Sequence, residues 1–333
     1  MKQAAFIGTA KNFEVYTQTL IDKLHSELAF PIPEVLTKNN LAQYEAQTQN
    51  IEYLFTTWGM LALTAAEIDR YFPALKAVFY AAGSVQQFAR PFIEKGIAVF
   101  SAWAANGVPV AEFTAAEIVL ANKGYFHLMH TPGSGPNWKR SKGEGLTGNY
   151  ETKVGIIGAG MIGKMVIRKL KALEKFEILV FDPFLPDETA QELGVKKVPL
   201  TTLFEECNVI SNHLANNAQT KGMINADCFN RMSPSAVFIN TGRGAQVVED
   251  AMIAAMKAEP NRLALLDVTF PEPPLPDSEL YNLPNVVLTP HIAGSLHNEI
   301  HRMAEYMVEE YESFDKGEPT RYSVSMKMLE TMA

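Results

Sequence analysis

Short apolar runs separated by amphipathic stretches set the rhythm of the chain. In the first hundred positions the strand-sized runs are residues 4–7, 34–36, 51–56, 77–80 and 98–100. Between them, residues 13–25, 64–71 and 85–95 repeat apolar positions at helical spacing. Thr64-Ala-Ala-Glu67 has the capping-box pattern that starts a helix. Strands alternating with helices predict a parallel, doubly wound α/β sheet. A second series opens near Lys153, with strands predicted at 154–157, 177–182, 208–214, 236–240, 263–269 and 286–288 and a helix at 164–173. A last helix is predicted over 294–316, followed by a tail from Gly317 to Ala333. Between the two series, residues 108–130 read as a helix with Pro109 in its first turn. Val110, Phe113, Ala115, Ala116, Ile118, Val119, Leu120 and Ala121 leave it apolar on most sides, so it is predicted to be buried in the core or against a second subunit. The Gly/Pro-rich stretch 131–145 is too long for an ordinary connection, and reads either as a mobile surface loop or as a loop contacting a partner subunit.

Composition narrows the class. A length of 333 residues accommodates two domains, and 47% hydrophobic with 20% charged residues is a soluble globular balance. No apolar run reaches membrane-spanning length, and Met1-Lys2-Gln3 leads straight into a strand with no signal-peptide pattern. Cys207 and Cys228 are the only cysteines, too few for a disulfide framework, so a reducing cytoplasm is the expected compartment. A net charge of −8 without a Lys/Arg block argues against a nucleic-acid surface but leaves room for a local anion pocket.

The chemistry-bearing residues cluster after predicted strands. Gly158-Ala-Gly160-Met161-Ile162-Gly163 follows one strand and opens a helix. That is the context in which the first glycine allows a tight turn, the second admits a pyrophosphate and the third lets helix pack on strand. The helix start offers its unpaired N–H groups to phosphate. Asp182 ends the next strand, 24 positions after Gly158, where a carboxylate accepts ribose hydroxyls and repels a 2′-phosphate. With no Arg beside it, NAD is expected over NADP; the plainer reading of Asp182 is a cap or a solvated acid. Arg243, between glycines in Asn240-Thr-Gly-Arg-Gly244, suits bidentate capture of a carboxylate, or is a surface arginine in a turn. Glu272 sits in the stiff Phe270-Pro-Glu-Pro-Pro-Leu-Pro276 loop and, alone, reads as an exposed acid. His291, in Leu288-Thr-Pro-His-Ile-Ala-Gly294, carries the side chain best suited to proton exchange near neutral pH, and a carboxylate partner such as Glu272 would favour its protonated form. A cation, a carboxylate and an imidazole after three strands of a dinucleotide fold form the set needed for hydride transfer to a 2-keto acid. The pairs His127/His130 and His297/His301 lack a third ligand and do not read as metal sites. Packing is the default for Trp58 and Trp138; Asn106 is a polar residue near a strand end.

Taken together, Val154–Gly163, Asp182-Pro183, Asn240–Gly244, Asp267-Val268 with Pro271-Glu272-Pro273, and Thr289–Gly294 resemble the D-isomer-specific 2-hydroxyacid dehydrogenases, the group with phosphoglycerate, glyoxylate/hydroxypyruvate and D-lactate dehydrogenases. The resemblance covers about residues 104–295 strongly and the flanks in architecture. It implies a Rossmann NAD-binding domain, residues 105–294, inserted into a flavodoxin-like substrate domain, residues 1–104 plus 295–333. It further implies that Arg243 binds the substrate, that His291 is the acid/base and that Glu272 pairs with it. Asp267 would hold the nicotinamide end, with His213, Thr241 and Gly242 lining the cofactor. The helix and loop over 108–150 would form a homodimer. The glycine-rich substrate loop corresponds to Ala81–Gln87, where Gly83 and Ser84 can present N–H groups to a carboxylate, although the family's following Asp is absent. Trp58 would give the substrate an aromatic wall. His213-Leu-Ala215 departs from the usual His-Leu-Pro, and Thr269-Phe270 from Phe-Glu, which leaves substrate identity open. A formate-dehydrogenase-like enzyme, which would carry Gln at 272, and a dinucleotide-sensing corepressor are the alternatives. No regulatory domain is expected after Ala333, which disfavours the longer phosphoglycerate dehydrogenases.

Overall fold

The computed structural model describes residues 1–129, 147–173 and 175–330. The loop expected over 131–145, with Trp138, and the second histidine of the 127/130 pair lie outside the described residues. The chain divides into two compact units, Met1–Gly107 with Ser295–Ala333, and Val108–Gly294.

In the first unit four apolar runs form a parallel sheet: β1 (Gln3–Ile7), β2 (Ile51–Thr56), β3 (Ala77–Tyr80) and β4 (Ala98–Ser101), in that spatial order. Nearly every residue of these strands is buried, because helices cover both faces and alternate side chains serve two cores. Phe55, Phe79 and Phe100 stack across neighbouring strands on one face, with ring centroids 5.2 and 5.1 Å apart. Met303, Ala304, Met307, Val308 and Tyr311 of the helix Glu299–Lys316 pack on that face. The run at 34–36 forms only a single bridge, Leu36 to Ile7, because Pro31 and Pro33 deprive its approach of ladder donors. The stretch 13–25 is two helices, Asn12–Val15 and Gln18–Glu27, since Thr17 leaves helical geometry to cap the second. The capping box is present, with Thr64 Oγ1 accepting from Glu67 N and Glu67 accepting from Thr64 N.

The second unit holds seven parallel strands: β5 (Lys153–Ile157), β6 (Glu177–Phe181), β7 (Lys196–Lys197), β8 (Val209–Asn212), β9 (Val237–Asn240), β10 (Leu263–Leu266) and β11 (Val286–Leu288). Their order is β7-β6-β5-β8-β9-β10-β11, so the winding reverses between β5 and β8. In such sheets ligands bind at the carboxyl ends beside that reversal. Strands β8 and β10 stop sooner than the apolar runs suggest, because Asn212 and Asp267 spend their side chains on the following loops. The helix predicted from 108 begins at Trp103 and runs to Asn122, which places Pro109 in its interior. Ala102 and Ala105 belong to one core and Ala111, Ala115, Ile118 and Ala121 to the other, so packing on both sides outweighs the hydrogen bond that Pro109 cannot donate. The final helix starts at Glu299, after His297 takes a positive φ of 48°. No helix among the described residues is long and apolar enough to cross a membrane.

Two expectations follow. A Cβ on Gly163 would overlap the Gly158 carbonyl oxygen, so Gly163→Ala should destabilise the second unit by about 2 kcal/mol or more; an unchanged urea midpoint would contradict that packing. Glu117 is a carboxyl on the helix Trp103–Asn122, and its Oε2 is buried without a hydrogen-bond partner among the described residues. Burial, with Asp267 nearby, pushes it from 4.5 up to about 8. Between those values the folded state binds more protons than the unfolded one, so its contribution to stability falls as pH rises through that window. Glu117→Gln should therefore gain on the native chain by on the order of 3 kcal/mol between pH 5 and pH 9 in urea unfolding, and parallel stability curves would refute the assignment.

Candidate active site

The reversal of the sheet brings the ends of β5 and β8 together. The backbone N–H of His213 donates to Ile157 O at 2.7 Å. Gly158 turns at a φ of +87°, where a Cβ would sit 2.8 Å from the His213 carbonyl oxygen, so only glycine closes this turn. The helix Met161–Leu173 starts at once and buries Val166, Ile167 and Leu170, while Met161 and Ile162 stay half-buried in its first turn. No atom lies within 4 Å of a Cβ placed on Gly160, so the space at the helix start is open. Asp182, just past β6, accepts from Ala159 N through one oxygen and from Phe184 N through the other, both at 2.8 Å. Each oxygen retains a lone pair for a further donor. His213 shares a hydrogen with Ser211 Oγ through Nε2 at 2.9 Å, and its Nδ1 is buried without a partner among the described residues. Burial pushes His213 down to about 4, so the ring is neutral. Thr241 is buried and its hydroxyl meets that of Thr114 at 2.9 Å. An open helix start, a carboxylate with spare acceptors 23 positions from Ala159 and an orphaned imidazole nitrogen fit a dinucleotide.

The next three carboxyl ends in the sheet belong to β9, β10 and β11. Arg243 follows β9 and its guanidinium donates to Gly242 O at 2.7 Å. Burial lowers its affinity for its proton, and the charge of Glu272 works the other way. A Cβ on Gly244 would overlap the Thr269 backbone, so the glycine after Arg243 lets this turn lie against the loop that follows β10. That loop carries Glu272 between two cis X-Pro bonds. Glu272 Oε1 lies 2.6 Å from Nδ1 of His291, which follows β11. This pair is about half exposed, at 47% for the His side chain and 41% for the Glu, which keeps the ring open to a ligand. His291 has a φ of +55°, a left-handed conformation costly for a non-glycine residue.

Asp267 offsets that cost. It is 3% exposed, and its carboxylate accepts from Thr289 Oγ1 and Ile292 N at 2.7 Å and from Ala293 N at 2.9 Å. Its carbonyl oxygen also receives His291 N at 3.1 Å. The residue expected at the nicotinamide end thus has both carboxylate oxygens engaged in clasping the His291 loop. Sequence reading missed Thr289 in this clasp and missed Asn212 and Gln246, which are buried amides beneath the Arg243 turn. A polar residue closing or following a fully apolar strand was the available signal.

In the first unit, Trp58 and the Gly83-Ser84 pair follow β2 and β3, which are adjacent. Thr57 Oγ1 donates to Ala81 O at 2.8 Å, and Ser101 Oγ to Ala82 O at 2.9 Å and Gly83 O at 2.6 Å. These bonds fix the Gly83 loop while Ser84 stays exposed. Among the described residues no group of three or more His, Cys, Asp or Glu could hold a metal ion. His301, one of the discounted pair, faces Val15 O through Nδ1 at 3.2 Å.

Comparison with known proteins places this geometry. Residues 120–293, just over half of the chain, match the model of the D-isomer specific 2-hydroxyacid dehydrogenase NAD binding domain. A D-3-phosphoglycerate dehydrogenase of Archaeoglobus fulgidus is 34% identical over 237 residues, 71% of this chain and 44% of that protein. A glyoxylate reductase of Korarchaeum cryptofilum is 38% identical over 169 residues, 51% of each chain. The matches therefore span about half or less of the length of these curated relatives. The apo D-mandelate dehydrogenase of Rhodotorula graminis has the same fold at a TM-score of 0.79 and 20% identity, over 98% of both chains. A phosphoglycerate oxidoreductase from Rhizobium etli aligns with a TM-score of 0.79 and 21% identity, over 99% of this chain and 100% of that one. The matched family model supports a nicotinamide cofactor for this unit. Fold, crevice and matching sequence agree, and the chain belongs to the D-isomer specific 2-hydroxyacid dehydrogenase family.

Proposed function

We propose that this chain is an NAD-dependent oxidoreductase that moves a hydride between the cofactor and C2 of a small D-2-hydroxy acid or the corresponding 2-keto acid. The observation that carries the reading is the 2.6 Å contact between His291 Nδ1 and Glu272, which follow β11 and β10, in the same run of the sheet as β9, which Arg243 follows.

Gly158, Gly160 and Gly163 let the backbone approach a pyrophosphate, and Met161 and Ile162 contribute N–H groups at the helix start. Asp182 accepts the adenosine ribose hydroxyls and repels a 2′-phosphate, which favours NAD over NADP. His213, Thr241, Gly242 and Asp267 line the remainder of the cofactor site. When bound, the nicotinamide supplies or accepts the hydride. Arg243 orients the keto acid through its carboxylate and stabilises charge growing on the carbonyl oxygen. Glu272 occupies Nδ1 of His291, which leaves Nε2 to deliver a proton to that oxygen during reduction and to take it back during oxidation.

We assign residues 1–104 and 295–333 to substrate binding, with Gly83 and Ser84 donating N–H groups to a carboxylate and Trp58 forming an aromatic wall; residues 105–294 are the cofactor domain in this reading. A homodimer through the helix Trp103–Asn122 and its continuation is favoured by the exposure of Leu120, Tyr125, Leu128 and Tyr150. The two buried free cysteines suit a cytoplasmic enzyme.

Oxidation of NADH should be observed with at least one member of a panel of glyoxylate, hydroxypyruvate, phosphohydroxypyruvate and bulkier 2-keto acids. Tight NADH binding without turnover on any of them would sink the proposal. Arg243→Ala should lower kcat/KM for the keto acid by about 10²–10³-fold while the NADH Kd, read by fluorescence, stays within about threefold. Glu272→Gln should lower kcat by about tenfold or more through loss of the anion that supports the imidazolium; equal kcat would remove Glu272 from the mechanism.

A further inference from the structure

Three amide side chains lie beneath the Arg243 turn with almost no exposure: Asn212 at 0%, Asn240 at 1% and Gln246 at 0%. Asn212 closes β8, Asn240 closes β9, and Gln246 follows Arg243 by three positions. Asn212 Nδ2 donates to Asn240 Oδ1 at 2.9 Å and to Gln246 Oε1 at 2.6 Å. Asn212 Oδ1 accepts from Leu214 N at 3.2 Å. Gln246 Nε2 donates to Leu214 O at 2.8 Å and Ala215 O at 2.9 Å. The turn that carries the guanidinium is held by the same groups. Gln246 Oε1 accepts from Arg243 N at 3.2 Å, Asn240 Nδ2 donates to Arg243 O at 3.2 Å, and Asn240 Oδ1 accepts from Gly242 N at 3.1 Å. Both backbone polar groups of Arg243 are therefore tied to this cluster, and every amide nitrogen and oxygen in it has at least one partner.

We infer that Gln246 and Asn212 are positioning residues for Arg243, and that the amide cluster locks the Arg243 turn to the 213–215 segment. The apolar interior explains why such a cluster is rigid. A buried amide that gives up one partner loses a hydrogen bond that no water replaces, so the arrangement moves as a unit or not at all. Buried apolar strands surround it, with Ile210 and Ile239 at 0% exposure. Gly242 contributes to the fit, since a Cβ there would sit 2.9 Å from Asn212 Nδ2 and 3.0 Å from Gln246 Oε1. The guanidinium itself is bonded to Gly242 O, so a tilt of the turn carries the charge with it. Displacement of a substrate-orienting group by even about 1 Å is enough to cost large factors in rate.

The inference rests on the role proposed above for Arg243, and the test separates the two. Gln246→Met keeps the volume of the side chain and removes all four of its hydrogen bonds. In that variant the KM for the keto acid should rise by about tenfold or more, equivalent to about 1.4 kcal/mol, with the NADH Kd within about threefold. A side chain that only stabilised the fold would lower the fraction of active enzyme, and so the apparent kcat, without moving KM. A keto-acid KM within about twofold of the native value would overturn the inference. Asn212→Leu cuts the same cluster from β8 and carries the same expectation should Gln246→Met not fold. Amide hydrogen exchange at residues 242–243 gives a readout that needs no turnover. Protection there should fall by about tenfold or more relative to β5 amides in either variant, and unchanged protection would overturn the inference. If the native chain binds NADH and reduces no keto acid, the proposed function fails, and the exchange result still decides whether the amides hold the turn.

Discussion

The parallel register of β9, β10 and β11 is the constraint on which the site depends. Each strand pairs with its neighbour so that Asn240 lies opposite Leu266, and Leu266 opposite Leu288. The segments leaving those three residues therefore emerge side by side, and one carries a cation, the next a carboxylate and the third an imidazole. Nothing in the chemistry of any single loop brings the three together. The sheet does so, because a strand buried on both faces has little freedom to slip its register without exposing apolar residues.

A buried parallel sheet also creates a difficulty at its carboxyl ends, where the ladder stops and backbone groups still need partners. This chain meets it with side chains placed at the last strand position or just beyond. Asp267 takes three donors from the His291 loop and keeps that residue in a left-handed conformation. Asn212 and Asn240 do the equivalent for β8 and β9. Glycines solve the complementary problem of close approach, as at Gly158 against His213 and Gly244 against Thr269. The segments that carry Arg243 and His291 are thus tied to the strand ends by hydrogen bonds to their backbones.

Much of this was legible before the structure. The alternation of apolar runs and helical spacing gives two parallel sheets, and the positions of Arg243, Glu272 and His291 just after apolar runs point to one edge of a sheet. What the apolar pattern could not give was geometry between distant residues, because contacts across strands depend on register; the Glu272–His291 pairing was expected from the residue types and the resemblance, and the Asn212–Gln246 contact was not expected at all. Local rules also lost to packing in identifiable places. Pro109 marks a helix start by propensity, yet helix continues through it because alanines on both sides are packed in cores. Prolines on the approach to Leu36 reduced an apolar run to one bridge. Gln246 and Asn212 drew no notice as isolated polar letters, since their meaning lies in each other.

We propose that Arg243 orients a 2-keto acid so that NADH delivers hydride to one face of C2 while His291, supported by Glu272, gives its proton to the carbonyl oxygen. The most direct measurement is to supply NADH deuterated at C4 on the transferred side, with the keto acid that turns over, and to analyse the 2-hydroxy acid formed. The account predicts deuterium at C2 and the D enantiomer alone. An L or racemic product, or a product without deuterium at C2, would contradict it.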